Sequence, residues 1–210
     1  MADQGSIQLI LIRTGATDWD DAGRLQGLTD LPLSTPGKEA LNQRLTEFRS
    51  ANPDIENPSA VLHASDEASR QSATLTSRTL GGRAREMDAL HDVGLGLWEG
   101  LLEDELLERH PSAHRHWRED PSMATPPEGE GVLDAEARLL DALSRATAKG
   151  SKRPVAVVLR PTAFALVRAW LTGQPVTRLW ETLEMAPPVD VLHIHRSRLL
   201  ARREREGSRA

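Results

Sequence analysis

The sequence predicts an α/β protein: a three-layer α/β/α sandwich whose central sheet is mostly parallel. Three short apolar runs, at residues 7–12, 59–64 and 154–159, have the composition of strands that are buried on both faces. A helical pattern follows each run, and strands that alternate with helices typically form a parallel sheet covered on both sides. These observations together predict the fold class.

The other elements follow from capping residues, breakers and periodicity. Ser34 and Pro36 predict the start of a first helix, and Ser65-Asp66 predicts the start of a second. Further helices are expected at residues 101–109, 111–118, 133–148 and 162–171. Further strands are expected at residues 84–87, 189–195 and 199–203, the last two at an edge of the sheet. Loops are expected at residues 13–34, 88–100 and 120–131.

Length and composition limit the class of protein. The 210 residues carry no obvious linker, which predicts one domain over residues 1–210 with a helical and loop insert at about residues 88–131. The chain has no cysteine, so disulfides and thiolate chemistry are excluded. A formal net charge of −5 predicts no general attraction to nucleic acid or to an anionic membrane. No run resembles a leader or a membrane span, so a cytoplasmic protein is expected.

The C-terminal tail, at about residues 201–210, is rich in arginine. A solvated chain end is the simpler interpretation of such a segment. Contact with phosphates or with an acidic partner is the alternative. The sequence leaves the role of this tail open.

Charged and polar side chains follow the predicted strands at the places where a parallel sheet binds its ligands. Arg13-Thr14-Gly15 follows the first strand, residues 63–66 follow the second, and Arg160 follows the third. The loop with Asp92 and Glu99 is a fourth candidate. Ligands bind beyond the carboxyl ends of parallel strands. Arginines beside helix N-termini suit a phosphate or a carboxylate, so the sequence predicts an anion site.

Four segments, in order along the chain, resemble the histidine phosphatase superfamily, the phosphoglycerate mutase-like proteins. The first, LILIRTGATDWDDAGRLQGLTDLPLSTPGKEAL, is similar to the family's series Arg-His-Gly, Glu-Thr-x-Trp-Asn, Gly-Arg-x-Gln-Gly and Asp-x-Pro-Leu-Thr. GLGLWEG resembles Phe-Gly-x-Trp-Glu-Gly, and PPEGEG resembles Pro-Pro-Gly-Gly-Glu-Ser. PVAVVLRPTAFALVRAWL resembles the family's last strand and helix, usually with Val-x-His-Gly. Four motifs in register are specific, and they imply a phosphoglycerate mutase-like fold.

The resemblance also implies a mechanism and its residues. In the family one histidine attacks phosphorus, a second stabilises the transferring phosphoryl group, two arginines bind its oxygens, and a carboxylic acid protonates the leaving group. Arg13 matches the first arginine, and Asp92 stands at the position of the acid. Thr14 stands where the nucleophilic histidine is expected, and Arg160 stands where the second histidine is expected. Both catalytic histidines are therefore replaced.

The second phosphate-binding arginine of the family falls in the segment SDEASRQSA. This segment is one residue short of the family pattern, so either Arg70 or Ser69 fills that position. Asp20 replaces an asparagine that usually borders the pocket. His63 and Glu99 are also expected at the pocket rim.

Arg160 cannot act as an acid or a base, because a guanidinium stays protonated near neutral pH. It can hold a phosphate or a carboxylate ligand. It can also pair with Asp18, Asp20 or Asp92 and fill the pocket from within, because a buried arginine requires an anion. The sequence leaves both alternatives open.

The leading functional hypothesis is a degenerate family member without phosphohistidine-based phosphatase activity. It would retain at most the binding of a phosphate, another small anion or a protein partner, with Arg13, Arg70 and Arg160 as anion-binding residues. One alternative is an active phosphomonoesterase or mutase that uses a relocated histidine, His63 or His91. The other is a structural or subunit protein with a filled pocket. No metal and no cofactor are expected, and a homodimer is suggested only by the dimers common in this family.

Overall fold

A computed structural model describes residues 5–148, 152–195 and 197–199, and a five-stranded sheet lies at its centre. The strands are β1 (Ser6–Arg13), β2 (Ala60–His63), β3 (Arg83–Glu86), β4 (Val155–Leu159) and β5 (Val189–His195), in the spatial order β3-β2-β4-β1-β5. The pairs β1–β4, β4–β2 and β2–β3 are parallel, whereas β5 pairs antiparallel with β1. The mostly parallel sheet predicted from the sequence is confirmed.

Helices cover both faces of the sheet. Those in the described ranges are α1 (Asp18–Asp21), α2 (Thr35–Ala51), α3 (Glu67–Leu80), α4 (Glu103–Arg109), α5 (Pro111–Glu119), α6 (Val132–Thr147), α7 (Pro161–Thr172) and α8 (Leu179–Met185). Neighbouring residues of β1 face opposite cores: Ile10 packs in one with Leu41 of α2, and Leu11 packs in the other with Leu139 of α6. The α/β/α layering is thereby confirmed. None of these described helices is both long and apolar enough to cross a membrane.

The helix starts that border the site follow from local sequence. Ser34 Oγ accepts a hydrogen bond from the Gly37 N–H at 3.0 Å and caps α2. Asp66 Oδ1 accepts from the Ser69 N–H at 2.9 Å and caps α3. A Cβ at Gly37 would lie 2.2 Å from the carbonyl oxygen of Ala16, so only glycine lets the loop after β1 lie directly on α2. These contacts fix the loop that carries α1.

Three expectations about elements differ from the structure. The predicted loop at residues 13–34 contains α1, and α8 was not predicted at all. Helices of four and seven residues have too few turns to show a periodic pattern. The strand predicted at residues 199–203 is wrong at Leu199, which is buried in a helical turn at residues 197–199. Residues 200–203, like the rest of the arginine-rich tail, lie outside the described residues.

The expected insert carries α4 and α5 and is attached to the domain through tryptophans. Trp117 of α5 is buried, and its ring lies edge-on to those of Trp98 and Trp180, with centroids 5.9 and 4.8 Å away. Trp180 Nε1 donates a hydrogen bond to the Trp117 carbonyl oxygen at 2.6 Å. The insert is therefore packed against α8.

Candidate functional site

The carboxyl ends of β1, β2 and β4 meet at one edge of the sheet, and a cavity of about 340 Å³ lies there. Its lining includes Arg160, which follows β4, and His91 and Asp92 from the segment after β3. The other walls come from residues 26–30 after β1 and residues 65–66 after β2, together with Asp88. The cavity therefore occupies the position at which parallel sheets bind ligands.

Arg160 fills the centre of this site. Its side chain is 3% exposed, and Nη1 and Nη2 donate to Oδ2 and Oδ1 of Asp20, each at 3.2 Å. Nη2 also donates to Oε1 of Gln26. Asp18 is exposed, and no hydrogen bond joins Asp92 to Arg160 within the described structure. Asp20 is thus the partner that the sequence could not single out, and this two-point ion pair supplies the buried guanidinium with an anion from within the chain.

The local structure of α1 turns Asp20 towards Arg160. Thr17 is the N-cap: its hydroxyl accepts from the Asp20 N–H at 3.2 Å, and Asp20 Oδ2 accepts from the Thr17 N–H at 2.8 Å, which together form a capping box. Gln26 is buried, and its Nε2 donates to the Thr29 carbonyl oxygen at 2.9 Å. Sequence reasoning missed Thr17 and Gln26. Gln26 belongs to the GRLQG motif, so that motif was a signal for it.

Asp92 is buried beside this ion pair, at the start of α7. Its Oδ1 accepts from the N–H groups of Ala163 at 2.7 Å and of Val93 at 3.0 Å. Burial raises the pKa of Asp92 to about 6, although Arg160 and the two backbone donors act in the opposite direction. Oδ1 of Asp92 thus accepts a hydrogen bond from the N-terminus of α7, where negative charge is favoured.

Three buried donors around the site have no hydrogen-bond partner among the described residues: the hydroxyls of Thr14 and Ser69 and the Nε of Arg160. Main-chain contacts connect the loop that carries Thr14 with the strand end before Arg160 and with the helix that carries Ser69. The Thr14 N–H donates to the carbonyl oxygen of the residue before Arg160 at 2.9 Å, and the Gly15 N–H donates to Ser72 Oγ, one turn along α3 from Ser69, at 3.2 Å. Each unsatisfied buried donor costs about 1–3 kcal/mol. The centre of the site is therefore incompletely paired.

The sequence profile of the histidine phosphatase superfamily (branch 1) matches residues 9–200. The chain belongs to this superfamily. Phosphoserine phosphatase 1 of Hydrogenobacter thermophilus is 23% identical to it over 174 residues, which cover 83% of this chain and 80% of the relative. Glucosyl-3-phosphoglycerate phosphatase of Mycolicibacterium vanbaalenii is 30% identical over 184 residues, which cover 84% and 78%. The membership predicted from the motifs is confirmed.

Solved structures of the superfamily share the fold. YhfR of Bacillus stearothermophilus superposes with a TM-score of 0.77 at 24% identity, over 88% of this chain and 90% of that chain. A mycobacterial glucosyl-3-phosphoglycerate phosphatase in complex with VO3 superposes with a TM-score of 0.72 at 25% identity, over 86% of each chain. The phosphoglycerate mutase-like fold expected from the motifs is confirmed by these superpositions.

Arg13, which matches the first phosphate-binding arginine of the superfamily, is half-buried at the end of β1. Its Nη1 donates to the Leu183 carbonyl oxygen in α8 at 3.3 Å, and its side chain is not part of the described cavity lining. Burial lowers the pKa of the guanidinium, Arg44 adds to that lowering, and Asp20 opposes it. Asp20 therefore lies within electrostatic range of Arg13 as well as Arg160.

The structure does not bring Arg70 into the site. Its side chain is 50% exposed, and its Nε donates to Glu67 Oε2 at 3.0 Å on the surface of α3. Ser69 is fully buried instead, on the side of α3 that faces the sheet. Of the two candidates for the second arginine position, Ser69 is therefore the buried residue and Arg70 is the surface residue.

Of the two histidines considered as replacements, His91 lines the cavity and His63 is absent from the described lining. His91 Nδ1 lies 2.8 Å from the Asp92 carbonyl oxygen. Because a carbonyl oxygen only accepts, Nδ1 carries the proton, and Nε2 of the neutral ring is left as an acceptor. His63 is 5% exposed, and its Nδ1 lies 2.7 Å from the Ala64 carbonyl oxygen. His63 is therefore a buried histidine at the strand end.

Glu99 of the GLWEG motif supports the wall formed by the loop after β1. Its Oε1 accepts from the Leu28 N–H at 2.9 Å, and its Oε2 accepts from the Thr29 hydroxyl at 2.6 Å. A Cβ at Gly27, where φ is +59°, would lie 2.3 Å from Glu99 Oε1, so the carboxylate lies directly against the loop backbone. Glu99, which was predicted at the pocket rim, therefore stabilises the loop that forms one wall of the cavity.

Arg138 of α6 holds the opposite wall, which carries His91 and Asp92. Its Nη1 donates to the His91 carbonyl oxygen at 3.0 Å, and its Nη2 donates to the Asp92 carbonyl oxygen at 3.1 Å. Its Nε and Nη2 donate to the two carboxylate oxygens of Glu130, in the PPEGEG motif, at 2.9 and 2.6 Å. Sequence reasoning missed Arg138, because nothing in a helical pattern shows which loop an arginine reaches.

The cavity is more acidic than a site for an oxyanion should be. Four carboxylates line it, those of Asp30, Asp66, Asp88 and Asp92, and the one arginine in the described lining, Arg160, is already paired. An anion that enters the cavity therefore meets a negative field. The motifs predicted a surviving anion pocket, and their spacing gave no sign of this acidic lining.

Proposed function

We propose that this chain is a non-catalytic member of the histidine phosphatase superfamily, which has lost the phosphohistidine route and works by binding. The observation that carries the proposal is the ion pair between Arg160 and Asp20. It stands where the family resemblance places the second histidine and the phosphoryl group. An arginine held in this way can neither give nor take a proton near neutral pH.

Thr14 supports the same proposal at the nucleophile position. A threonine hydroxyl attacks phosphorus only with a base within hydrogen-bond reach. Thr14 Oγ1 is buried and has no such partner in the part of the chain that the structure describes. Because the catalytic groups of one site act as a unit, the loss of both histidines removes the family's catalytic route.

Turnover is the direct test. Phosphoserine and glucosyl-3-phosphoglycerate, after which two of the relatives are named, are assayed beside p-nitrophenyl phosphate, with trapping of acid-labile phosphoenzyme. We expect no turnover above the blank and no phosphoenzyme. The matched comparison is the Thr14→His/Arg160→His variant, which tests whether the fold still supports the chemistry. Turnover by the wild-type chain with a trapped phosphohistidine would contradict the proposal.

A second candidate function is a phosphomonoesterase that uses His91. One observation favours His91 over His63: His91 lines the cavity, whereas His63 is absent from its described lining. The acid would be Asp92, whose pKa of about 6 suits proton donation near neutral pH. Any activity of the wild-type chain should then disappear in His91→Gln and persist in His63→Gln. Activity that survives both changes would exclude this candidate.

A third candidate is a structural or subunit protein whose pocket is merely filled, and the Asp20–Arg160 pair favours it. Calorimetry with inorganic phosphate separates it from anion binding: measurable binding that is lost in Arg13→Ala supports an anion site, and no binding to the wild type supports the filled pocket. A protein partner, a homodimer and a cytoplasmic location are also proposals. Light scattering after size-exclusion chromatography tests the dimer.

A further inference from the structure

The Asp20 carboxylate meets Arg160 as a bound oxyanion would. Its two oxygens accept from two nitrogens of one guanidinium, both at 3.2 Å, which is the same fork geometry that arginine uses for phosphate. Thr17 adds a backbone donor to the carboxylate at 2.8 Å. The positive field of Arg13 also acts on Asp20. The Asp20 carboxylate is thus bound by the same kinds of donor that would bind an anionic ligand.

The two halves of this ion pair are held differently. Arg160 is 3% exposed at the start of α7, whereas the Asp20 side chain is 25% exposed on the four-residue helix α1. Asp20 is therefore the member of the pair that lies nearer to solvent, and Arg160 is the member that is held in the core. The cavity also reaches Arg160, and its four aspartates add to the negative field that any oxyanion has to overcome there.

We propose that Asp20 is an autoinhibitory internal ligand, which keeps small oxyanions off Arg160 until its negative charge is removed or displaced. The inference rests on the proposed non-catalytic function, because a turning-over phosphatase could not keep this contact. The Nε of Arg160 supports it, because it has no hydrogen-bond partner among the described residues and Arg160 lines the cavity. It is a donor that an oxygen of a bound oxyanion would satisfy and that the Asp20 carboxylate leaves unsatisfied.

The test compares inorganic phosphate binding to the wild type and to Asp20→Asn by calorimetry, at constant ionic strength set with chloride. Asparagine has the shape of aspartate and keeps an oxygen for the Thr17 N–H, but it has no charge. We expect phosphate to bind Asp20→Asn at least about tenfold more tightly, because the competing charge-assisted hydrogen bonds are gone. Asp18→Asn, on the same short helix but exposed, is the matched control and should bind phosphate like the wild type.

A second variant locates the bound anion. Asp20→Asn/Arg160→Gln should lose the gained affinity, and retention of the gain would overturn the proposal by placing phosphate elsewhere. A folded Asp20→Asn protein with wild-type phosphate affinity would also overturn it. If that variant does not fold, as judged by its thermal transition, Asp20→Ser takes its place with the same criteria. Turnover by the wild type would refute the non-catalytic proposal, whereas a missing gain in Asp20→Asn refutes only the autoinhibitory contact.

Discussion

The wall of the cavity and its centre differ in how completely their polar groups are paired. In the wall, the carboxylate of Glu99 and the guanidinium of Arg138 each have several partners at hydrogen-bond distance. In the centre, Thr14, Ser69 and Arg160 each keep a buried polar atom without a partner among the described residues. Both regions lie at the same edge of the same sheet, so their location in the fold does not explain why hydrogen bonding is more complete in the wall than in the centre.

This difference separates residues that support the fold from residues at positions where the family resemblance places catalytic groups. The wall residues hold loops in place, and the protein needs those loops whether or not it reacts with a phosphate. The centre residues stand where the family resemblance places catalytic groups, and a threonine, a serine and an arginine do not complete a network made for histidines and a phosphate. Local rules of polar pairing are most often broken at functional positions, and the centre of this cavity is such a position.

The largest expected effect is on the ion pair at the centre. Arg160→Met should lower the free energy of unfolding by about 2–4 kcal/mol, because it removes a buried guanidinium and leaves the partly exposed Asp20 carboxylate without its partner. Urea denaturation at pH 7 measures this change. Arg145→Met, which breaks an exposed pair with side chains 54% and 33% exposed, is the control and should cost less than about 0.5 kcal/mol. If Arg160→Met lowers the free energy of unfolding by less than about 1 kcal/mol, the Arg160–Asp20 pair stabilises the protein no more than an exposed ion pair does.

The second expected effect is a pH dependence that arises from Asp92. Its pKa rises from 3.8 to about 6 on folding, so between these values the native state binds more protons than the unfolded state, and stability falls as pH rises. Asp92→Asn removes this group and keeps an acceptor for the Ala163 N–H. Relative to the wild type, the variant should therefore gain about 2 kcal/mol between pH 4 and pH 7.

Urea unfolding at both pH values measures the Asp92 effect. The exposed Asp18→Asn change is the control and should follow the wild type at each pH. A wild-type chain and an Asp92→Asn variant with the same pH dependence would show that the Asp92 carboxylate is not held in a raised-pKa environment.

The smallest expected effect concerns two threonines, one in the centre and one in the wall, whose replacement should change stability in different directions. Thr14→Val replaces an unpartnered hydroxyl with a methyl group of similar size and should be neutral or stabilising by up to about 1 kcal/mol. Thr29→Val removes the hydrogen bond to Glu99 and should be destabilising by about 1 kcal/mol. The urea midpoints of the two variants decide this. Equal losses would erase the distinction between centre and wall.

The fold and the family could be predicted because both depend on patterns that lie within short segments of the chain. Apolar runs predicted the central strands, and the four motifs predicted the superfamily. The partner of Arg160 was not predictable. Asp18 and Asp20 are two residues apart, and only the capping box with Thr17 decides that Asp20 faces inward. A four-residue helix shows no periodicity that would reveal its inward side.

The burial of Ser69 and the exposure of Arg70 could have been predicted from the sequence. Asp66 is the N-cap of α3, and the buried positions that follow are spaced three or four residues apart, with Ser69 among them. Applying that helical phase would have placed Arg70 at the surface. By contrast, the acidic lining of the cavity brings together residues from three separate segments, and no spacing in the sequence shows that they share one cavity.

The contact between Asp20 and Arg160 also bears on how the double variant Thr14→His/Arg160→His should be built. A histidine at position 160 removes the two-point ion pair and leaves the Asp20 carboxylate facing the new side chain. A histidine at position 14 alone leaves that ion pair in place. Under the proposed function, an attempt to restore phosphoryl transfer therefore has to include Asp20→Asn beside the two histidines, because the carboxylate would otherwise repel the phosphoryl group.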